Sequence, residues 1–220
     1  MFLVLRLTRD RSNKRNLLRA EPIGTAFALS GSYLFTAAHN VCSGKGKAVS
    51  LLKEIGVVRS YTDPIVRADI IILKHVAHCL AYDEDWAIYK RTTGTFSHFA
   101  ELCPETELPP KGVKIGIKNY PVGLLAVGSA TKVTLESFLT KIAHYEEFID
   151  SVSPVPKRMK FAVTDTPQVV VERAVQVVGG RIRGSCGAAY FSSNGKVFAF
   201  HKESVDDGDE VSVSNSYLHF

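Results

Sequence analysis

The sequence predicts an all-β protein built as two antiparallel barrels of about six strands each, with few short helices. Three observations lead there. Short β-like runs recur along the chain between Gly, Pro, Asn, Asp and Ser. Helical periodicity is weak throughout. The stretch CPETELPPK at 103–111 carries three prolines and divides the chain near its middle.

The elements follow in order. Residues 1–21 form a basic segment in which Arg6, Arg9, Arg11, Lys14, Arg15 and Arg19 outnumber Asp10 and Glu21, and so hold +4 of the chain's net +5. Such a segment suits phosphates, so an RNA contact is one expectation; the plainer reading is a solvated strand and turn. The first barrel is expected over 22–102, with strands at 25–29, 33–36, 49–52, 55–58, 70–73 and 86–89. A linker follows at 103–111. The second barrel is expected over 112–220, with strands at 113–117, 131–135, 160–163, 169–171, 188–191, 197–200 and 211–217. Within it, Leu135, Phe138, Leu139, Ile142 and Tyr145 recur at spacings of three and four, so 134–149 is the best helix candidate. The same stretch reads equally as a strand followed by a turn. A second Pro-rich loop lies at 151–157.

Composition narrows the function classes. The chain has 220 residues, 45% hydrophobic and 22% charged, which excludes global disorder, collagen and coiled coil. A chain of this length buries about 70% of its unfolded surface, so it needs no disulfide or metal to fold. No apolar run approaches a membrane span. The opening Met1-Phe2-Leu3-Val4-Leu5 meets Arg6 at once, too early for an export signal, so a cytoplasmic setting with reduced thiols is expected. The four cysteines, Cys42, Cys79, Cys103 and Cys186, form no C-x-x-C pair.

One of them stands in a reactive frame. In Gly184-Ser185-Cys186-Gly187-Ala188 a thiol sits among glycines between two β-like runs. Glycine permits a tight turn that can aim successive backbone N–H groups at one point, as an oxyanion requires. A thiolate there is a nucleophile, and it needs a base. His39 leaves the run Tyr33-Leu34-Phe35 through Thr36-Ala37-Ala38. Asp85 opens the run Trp86-Ala87-Ile88-Tyr89, where a carboxylate can hold an imidazole tautomer. The chain order His39, Asp85, Cys186 is that of the chymotrypsin triad.

These segments carry a resemblance. Gly24-Thr25-Ala26-Phe27, Phe35-Thr36-Ala37-Ala38-His39, Asp85-Trp86-Ala87-Ile88 and Gly184-Ser185-Cys186-Gly187 resemble, in order, the motifs of chymotrypsin-like peptidases. The stretch 111–123 resembles the strand that enters their second barrel. Gly184 to Tyr190, followed by 195–201, is similar to the 3C-like main proteases of picornaviruses, caliciviruses and their relatives. The resemblance implies a chymotrypsin-like double β-barrel and a cysteine endopeptidase cleaving a viral polyprotein in the host cytoplasm. It implies Cys186 as nucleophile, His39 as base and then acid, and Asp85 as orienter. The backbone N–H groups of Gly184 and Cys186 would hold the oxyanion. His201, about fifteen residues past Cys186, would line the S1 pocket. No cofactor is implied. Arg181 stands where the family usually has threonine, which favours a carboxylate in S1, so glutamate is expected beside glutamine at P1. Lys202-Glu203-Ser204 replace the family's glycines, and Ala188 replaces a second glycine after the nucleophile.

Other residues offer rival readings. Asp69 precedes the run 70–73 and is the rival third member. Ser185 is the rival nucleophile, against the Gly-x-nucleophile-Gly frame. Arg181 and Arg183 would favour the Cys186 thiolate, or are exposed loop charges. His75-x-x-His78-Cys79 has metal-ligand residue types but no second pair, so strand-end polar residues are expected and no metal. Asp206-Asp207-Gly208-Asp209-Glu210 lacks the full calcium-loop pattern. Two functional rivals follow: a cellular trypsin-like peptidase with a cysteine nucleophile, and a non-catalytic or RNA-binding module on the same scaffold.

Overall fold

A computed structural model describes residues 1–9, 18–43, 49–62, 69–80, 85–107, 109, 114–119, 132–133, 139–146, 170–178, 186–204 and 212–219. The described residues are nearly all strand and turn. No helix among them is long and apolar enough to cross a membrane.

Six strands close a barrel in the first half. They are β1 (Phe2–Arg9), β2 (Leu18–Ala28), β3 (Tyr33–Ala37), β6 (Glu54–Val58), β8 (Ile71–Cys79) and β9 (Trp86–Arg91), in the order β1-β2-β3-β9-β8-β6. Every pairing is antiparallel. Three short strands, β4 (Cys42–Ser43), β5 (Ser50–Leu51) and β7 (Tyr61–Thr62), decorate it. β1 lies in the segment read as a basic lead-in, yet it forms a wall of the barrel, and Phe2, Leu3, Val4 and Leu5 are fully buried. Arg6 is tied down at its end, donating to the Cys42 carbonyl at 3.3 Å and facing Glu21 at 3.6 Å. β8 runs six residues beyond the expected 70–73, through a bulge between His75 and Ala77.

Residues 24–28 of β2, all of β3 and residues 86–89 of β9 read as nearly continuous apolar runs because both of their faces are buried. Leu34 and Ala38 point with Val4, Ala26, Val57 and Tyr89 into the barrel. Tyr33, Phe35 and Ala37 point the other way, with Phe27, Trp86 and Ile88, onto Ala189, Val197 and Phe200 of the second half. Phe35 sits at the centre of this second core, 5.2 Å from the Phe27 ring and 4.8 Å, edge-on, from Phe200. Each such side chain stabilises the packing by about 1.5–3 kcal/mol when buried. Period-two alternation thus serves two cores at once.

The second half contributes β10 (Lys114–Asn119), β11 (Lys132–Val133), β12 (Leu139–Glu146), β13 (Val170–Val178), β14 (Ala189–Phe191), β15 (Val197–Ser204) and β16 (Ser212–His219). They pair in the order β10-β12-β13-β16-β15-β14, with β14 returning to β10 through Gly116↔Phe191 and Lys118↔Ala189. Of the helix candidate 134–149, residues 139–146 form β12. Its pairing with β10, Ile115↔Ala143 for example, overrides the weak helical spacing. The expected strand 160–163 lies outside the described residues. Between the halves, Leu102 bridges Val197 in parallel, and Lys196 Nζ reaches Glu107 at 2.7 Å and Glu101 at 3.4 Å. β7 and β11 also pair across the halves.

Candidate active site

β3 ends in small residues, and a single 3-10 turn, Ala38–Val41, follows it. The turn sends His39 out to solvent and turns Asn40 and Val41 inward. Asp85 stands one residue before β9, and the register Ala37↔Trp86 brings it beside this turn. Its backbone adopts φ 45°, a left-handed conformation that aspartate tolerates better than most residues. All its acceptors point one way. Oδ1 accepts the His39 backbone N–H at 2.9 Å, Oδ2 accepts the ring Nδ1–H at 2.5 Å, and the carbonyl accepts the Ala38 N–H at 3.0 Å. The carboxylate in contact with His39 is that of Asp85; Asp69 lies exposed two residues before β8.

Cys186 sits half-buried on the turn that leads into β14. Its side chain lies close enough to the His39 ring to favour the ring's charged form. Burial of the ring opposes its charged form, but hydrogen bonds to Asp85 and Cys186, and their charges, outweigh it and hold His39 up at about 10, against an ordinary 6.5. The imidazolium is therefore the form that this arrangement favours at neutral pH.

The other thiols differ. Burial pushes Cys42 and Cys103 up, helped by the charges of Asp85 and Glu107 respectively, so both stay protonated. Cys42 donates to the Ala38 carbonyl and Cys103 to that of Glu107. None of the four cysteines is in a disulfide.

The peptide that carries Cys186 is gripped from the first barrel. Its carbonyl accepts the Thr25 N–H at 3.1 Å and Asn40 Nδ2–H at 2.7 Å. Gly187 adopts φ 84°, and a Cβ there would collide with the Thr25 carbonyl. This is why the frame needs glycine after the thiol: the first barrel's backbone occupies the space of a side chain.

His201 lies on β15, 3% exposed. Its Nδ1 meets the Tyr190 hydroxyl at 2.8 Å, and the two rings stack at 6.2 Å. Its backbone pairs with the nucleophile's turn, accepting from Gly187 and donating to Ala188, both at 2.8 Å. Burial, with the charge of nearby His39 second, pushes His201 down to about 3, so the ring is neutral at physiological pH.

Of the expected site residues, His39, Asp85, Cys186 and His201 come together here. Gly184 and Arg181 lie outside the described residues, as do Ser185, Arg183 and 206–210. His75 and His78 contact each other at 3.0 Å on β8, and among the described residues no group of three His, Cys, Asp or Glu is placed to hold a metal. Sequence reasoning missed the parts played by Asn40, Thr25 and Tyr190. For Tyr190 a signal existed: it closes the stretch Gly184 to Tyr190 on which the 3C-like resemblance rests.

No family model matches the chain, and no curated protein matches it. Solved structures do. The MamO protease domain of Magnetospirillum magneticum superposes with a TM-score of 0.53 at 12% identity, over 97% of this chain and 90% of that one. The chain has the fold of chymotrypsin-like proteases. The active form of the Rv3671c protease of M. tuberculosis gives a TM-score of 0.57 at 15% identity, over 98% of this chain and 75% of that one. The thermostable serine protease AL20, from an extremophilic microorganism, gives 0.55 at 12%, over 98% and 89%. AL20 is a serine protease. Position 186 of this chain is a cysteine.

Proposed function

We propose that the protein is a cysteine endopeptidase on a chymotrypsin-like double barrel, and the approach of Asp85 and Cys186 to the same His39 ring, one from each half of the chain, carries this reading. The cycle starts from a thiolate–imidazolium pair. Cys186 Sγ bonds to the scissile carbonyl carbon, and the electron pair of that carbonyl moves to its oxygen. The backbone N–H groups of Cys186 and Gly184 are the proposed donors to this oxyanion. The C–N bond then breaks as the imidazolium gives its proton to the leaving amine. Neutral His39 next takes a proton from water, whose oxygen attacks the thioester. The thiolate leaves, and the acid product is released. Asp85 holds the tautomer throughout, with Nε2 toward sulfur.

His201 is the proposed S1 residue. With Tyr190 O–H donating to Nδ1, the ring proton resides on Nε2, which donates to the side-chain oxygen of P1 glutamine or glutamate. Because His201 stays neutral, the charge of a glutamate would be met by Arg181. The 3C-like motifs support a viral polyprotein as the natural substrate. The similarity to bacterial proteases supports a second reading, a cellular trypsin-like peptidase with a cysteine nucleophile.

A peptide-library digest tests these readings. Cleavage after Gln or Glu, abolished in a folded Cys186→Ala variant, is the expected result. Cleavage after other residues, still dependent on Cys186, would select the cellular reading. A wild type that cuts nothing, or a Cys186→Ala variant that cuts as well as wild type, would overturn the peptidase.

A further inference from the structure

We infer that Asn40 is a positioning residue: it indexes the nucleophile on the second half of the molecule to the base on the first. The inference rests on the peptidase reading for its consequence, but its observations are separate. His39 and Asn40 are consecutive residues of one 3-10 turn, and they project to opposite sides. His39 meets the Cys186 side chain, and Asn40 meets the Cys186 main chain. One rigid turn therefore sets the distance between base and nucleophile by holding both ends of the same cysteine.

The polar groups form a closed ring. Asn40 Nδ2 donates to the Cys186 carbonyl at 2.7 Å and to Thr36 Oγ1 at 3.3 Å. Thr36 Oγ1 donates to the Thr25 carbonyl at 2.8 Å, and the Thr25 N–H donates back to the Cys186 carbonyl at 3.1 Å. Both hydrogens of the carboxamide are thus used, one on each acceptor. The ring is dry: Thr25 and Thr36 are fully buried and Asn40 is 8% exposed. In such a site a hydrogen bond is strong, and a lost partner is costly.

The backbone is cut to fit it. A Cβ on Gly24 would occupy the Asn40 carboxamide, and a Cβ on Gly187 would strike Thr25, Thr36 and Ala37. The peptide unit between Cys186 and Gly187 is held on both sides. Its oxygen is bound by the first half through Asn40 and Thr25, and its N–H is bound by the second half through the His201 carbonyl at 2.8 Å. Apolar packing at the interface resists separation but tolerates sliding. This joint opposes sliding, because two directional donors converge on one oxygen.

Only a donor suits the position. Aspartate is nearly the same size but would set a carboxylate against a carbonyl oxygen and a hydroxyl. Alanine would leave the Cys186 carbonyl with Thr25 alone.

The test reads Cys186 alkylation by iodoacetamide against pH, alongside kcat and KM for a cleaved peptide. Alkylation needs no substrate site, so it reports the thiolate–imidazolium pair by itself. In the folded Asn40→Ala variant, alkylation of Cys186 at neutral pH is expected to slow by about tenfold. kcat should fall by roughly 10- to 100-fold with KM within about twofold, and Asn40→Asp should lose more on both readouts. Ile88→Val, in the apolar interface core, is the control. It is expected to lower the melting temperature while leaving the alkylation profile in place. A folded Asn40→Ala or Asn40→Asp variant with the wild-type profile and kcat would overturn the inference. So would a wild type whose Cys186 is alkylated at neutral pH no faster than the same thiol in the unfolded chain. A wild type with the paired-thiolate profile that cuts no peptide would sink the peptidase and leave the positioning role standing on alkylation alone.

Discussion

Acidification should destabilise this protein through His201, and the size of the effect can be worked out. The residue is 3% exposed and is held down at about 3, while in the unfolded chain it titrates near 6.5. Between those values the unfolded chain binds a proton that the native state refuses. Stability therefore rises with pH in this window and falls as pH drops through it. The slope approaches 1.4 kcal/mol per pH unit, so moving from pH 7 to pH 5 removes about 2 kcal/mol. His39 acts in a different window. Its raised value means that its contribution is complete below 6.5 and fades as pH climbs toward about 10, so it is flat where His201 acts. His75 is also pushed down, by burial first and by the charge of His78 second, and it adds acid sensitivity of the same sign. Urea unfolding of wild type and of His201→Gln at pH 7, 6 and 5 isolates the His201 share as a difference of differences. The variant is expected to be less stable at pH 7 but to lose about 2 kcal/mol less on going to pH 5. Equal losses in the two proteins would refute the argument that the buried ring stays neutral.

Two further outcomes follow from the site and the core. Asp85→Asn keeps the size of the side chain but offers an amide where Oδ2 accepts the His39 ring proton, so the ring turns to the wrong tautomer. kcat for the cleaved peptide is expected to drop by roughly a thousandfold or more with little change in KM, measured by steady-state hydrolysis. Phe35→Ala empties the centre of the interface core between Phe27 and Phe200. It should cost about 3–5 kcal/mol in urea-unfolding free energy, whereas Phe35→Leu, which keeps more of the volume, should cost clearly less.

The local chemistry was more legible in the sequence than the long-range contacts. His39, Asp85 and Cys186 each stand beside an apolar run that names its own strand, and β3, β9 and β14 formed where those runs lie. β1 was obscured by charge. Arg6, Arg9 and the basic residues beyond drew the whole of 1–21 toward a solvated strand and turn outside the first barrel. The structure instead buries the apolar residues and ties Arg6 to a carbonyl. The far end of β8 was obscured by inversion. Exposed Val76 alternates with half-buried His75, Ala77 and Cys79, so the polar and apolar positions do not sort onto two faces as a strand reading requires. Asn40 had no local signature at all. Its partner is 146 residues away in the chain, and nothing around position 40 announces a buried carboxamide.

The two-sided burial of β2, β3 and β9 explains why the site lies where it does. One face of these strands closes the first barrel, and the other face is the floor on which β14 and β15 pack. Base and orienting acid leave the ends of β3 and β9, and the nucleophile enters at the start of β14. The contact of Phe35 with Phe200 therefore brings the two sets of groups together without fixing their direction. Packing of that kind is far less directional than a hydrogen bond, and a misplacement of ~1 Å can slow a reaction about a hundredfold. The missing direction is supplied at the edge of the same core, where Thr25 and Asn40 converge on the Cys186 carbonyl. On this division of labour the apolar interface carries the stability and the small polar ring carries the geometry. Damage to the first should appear in the unfolding midpoint, and damage to the second in the reactivity of one thiol.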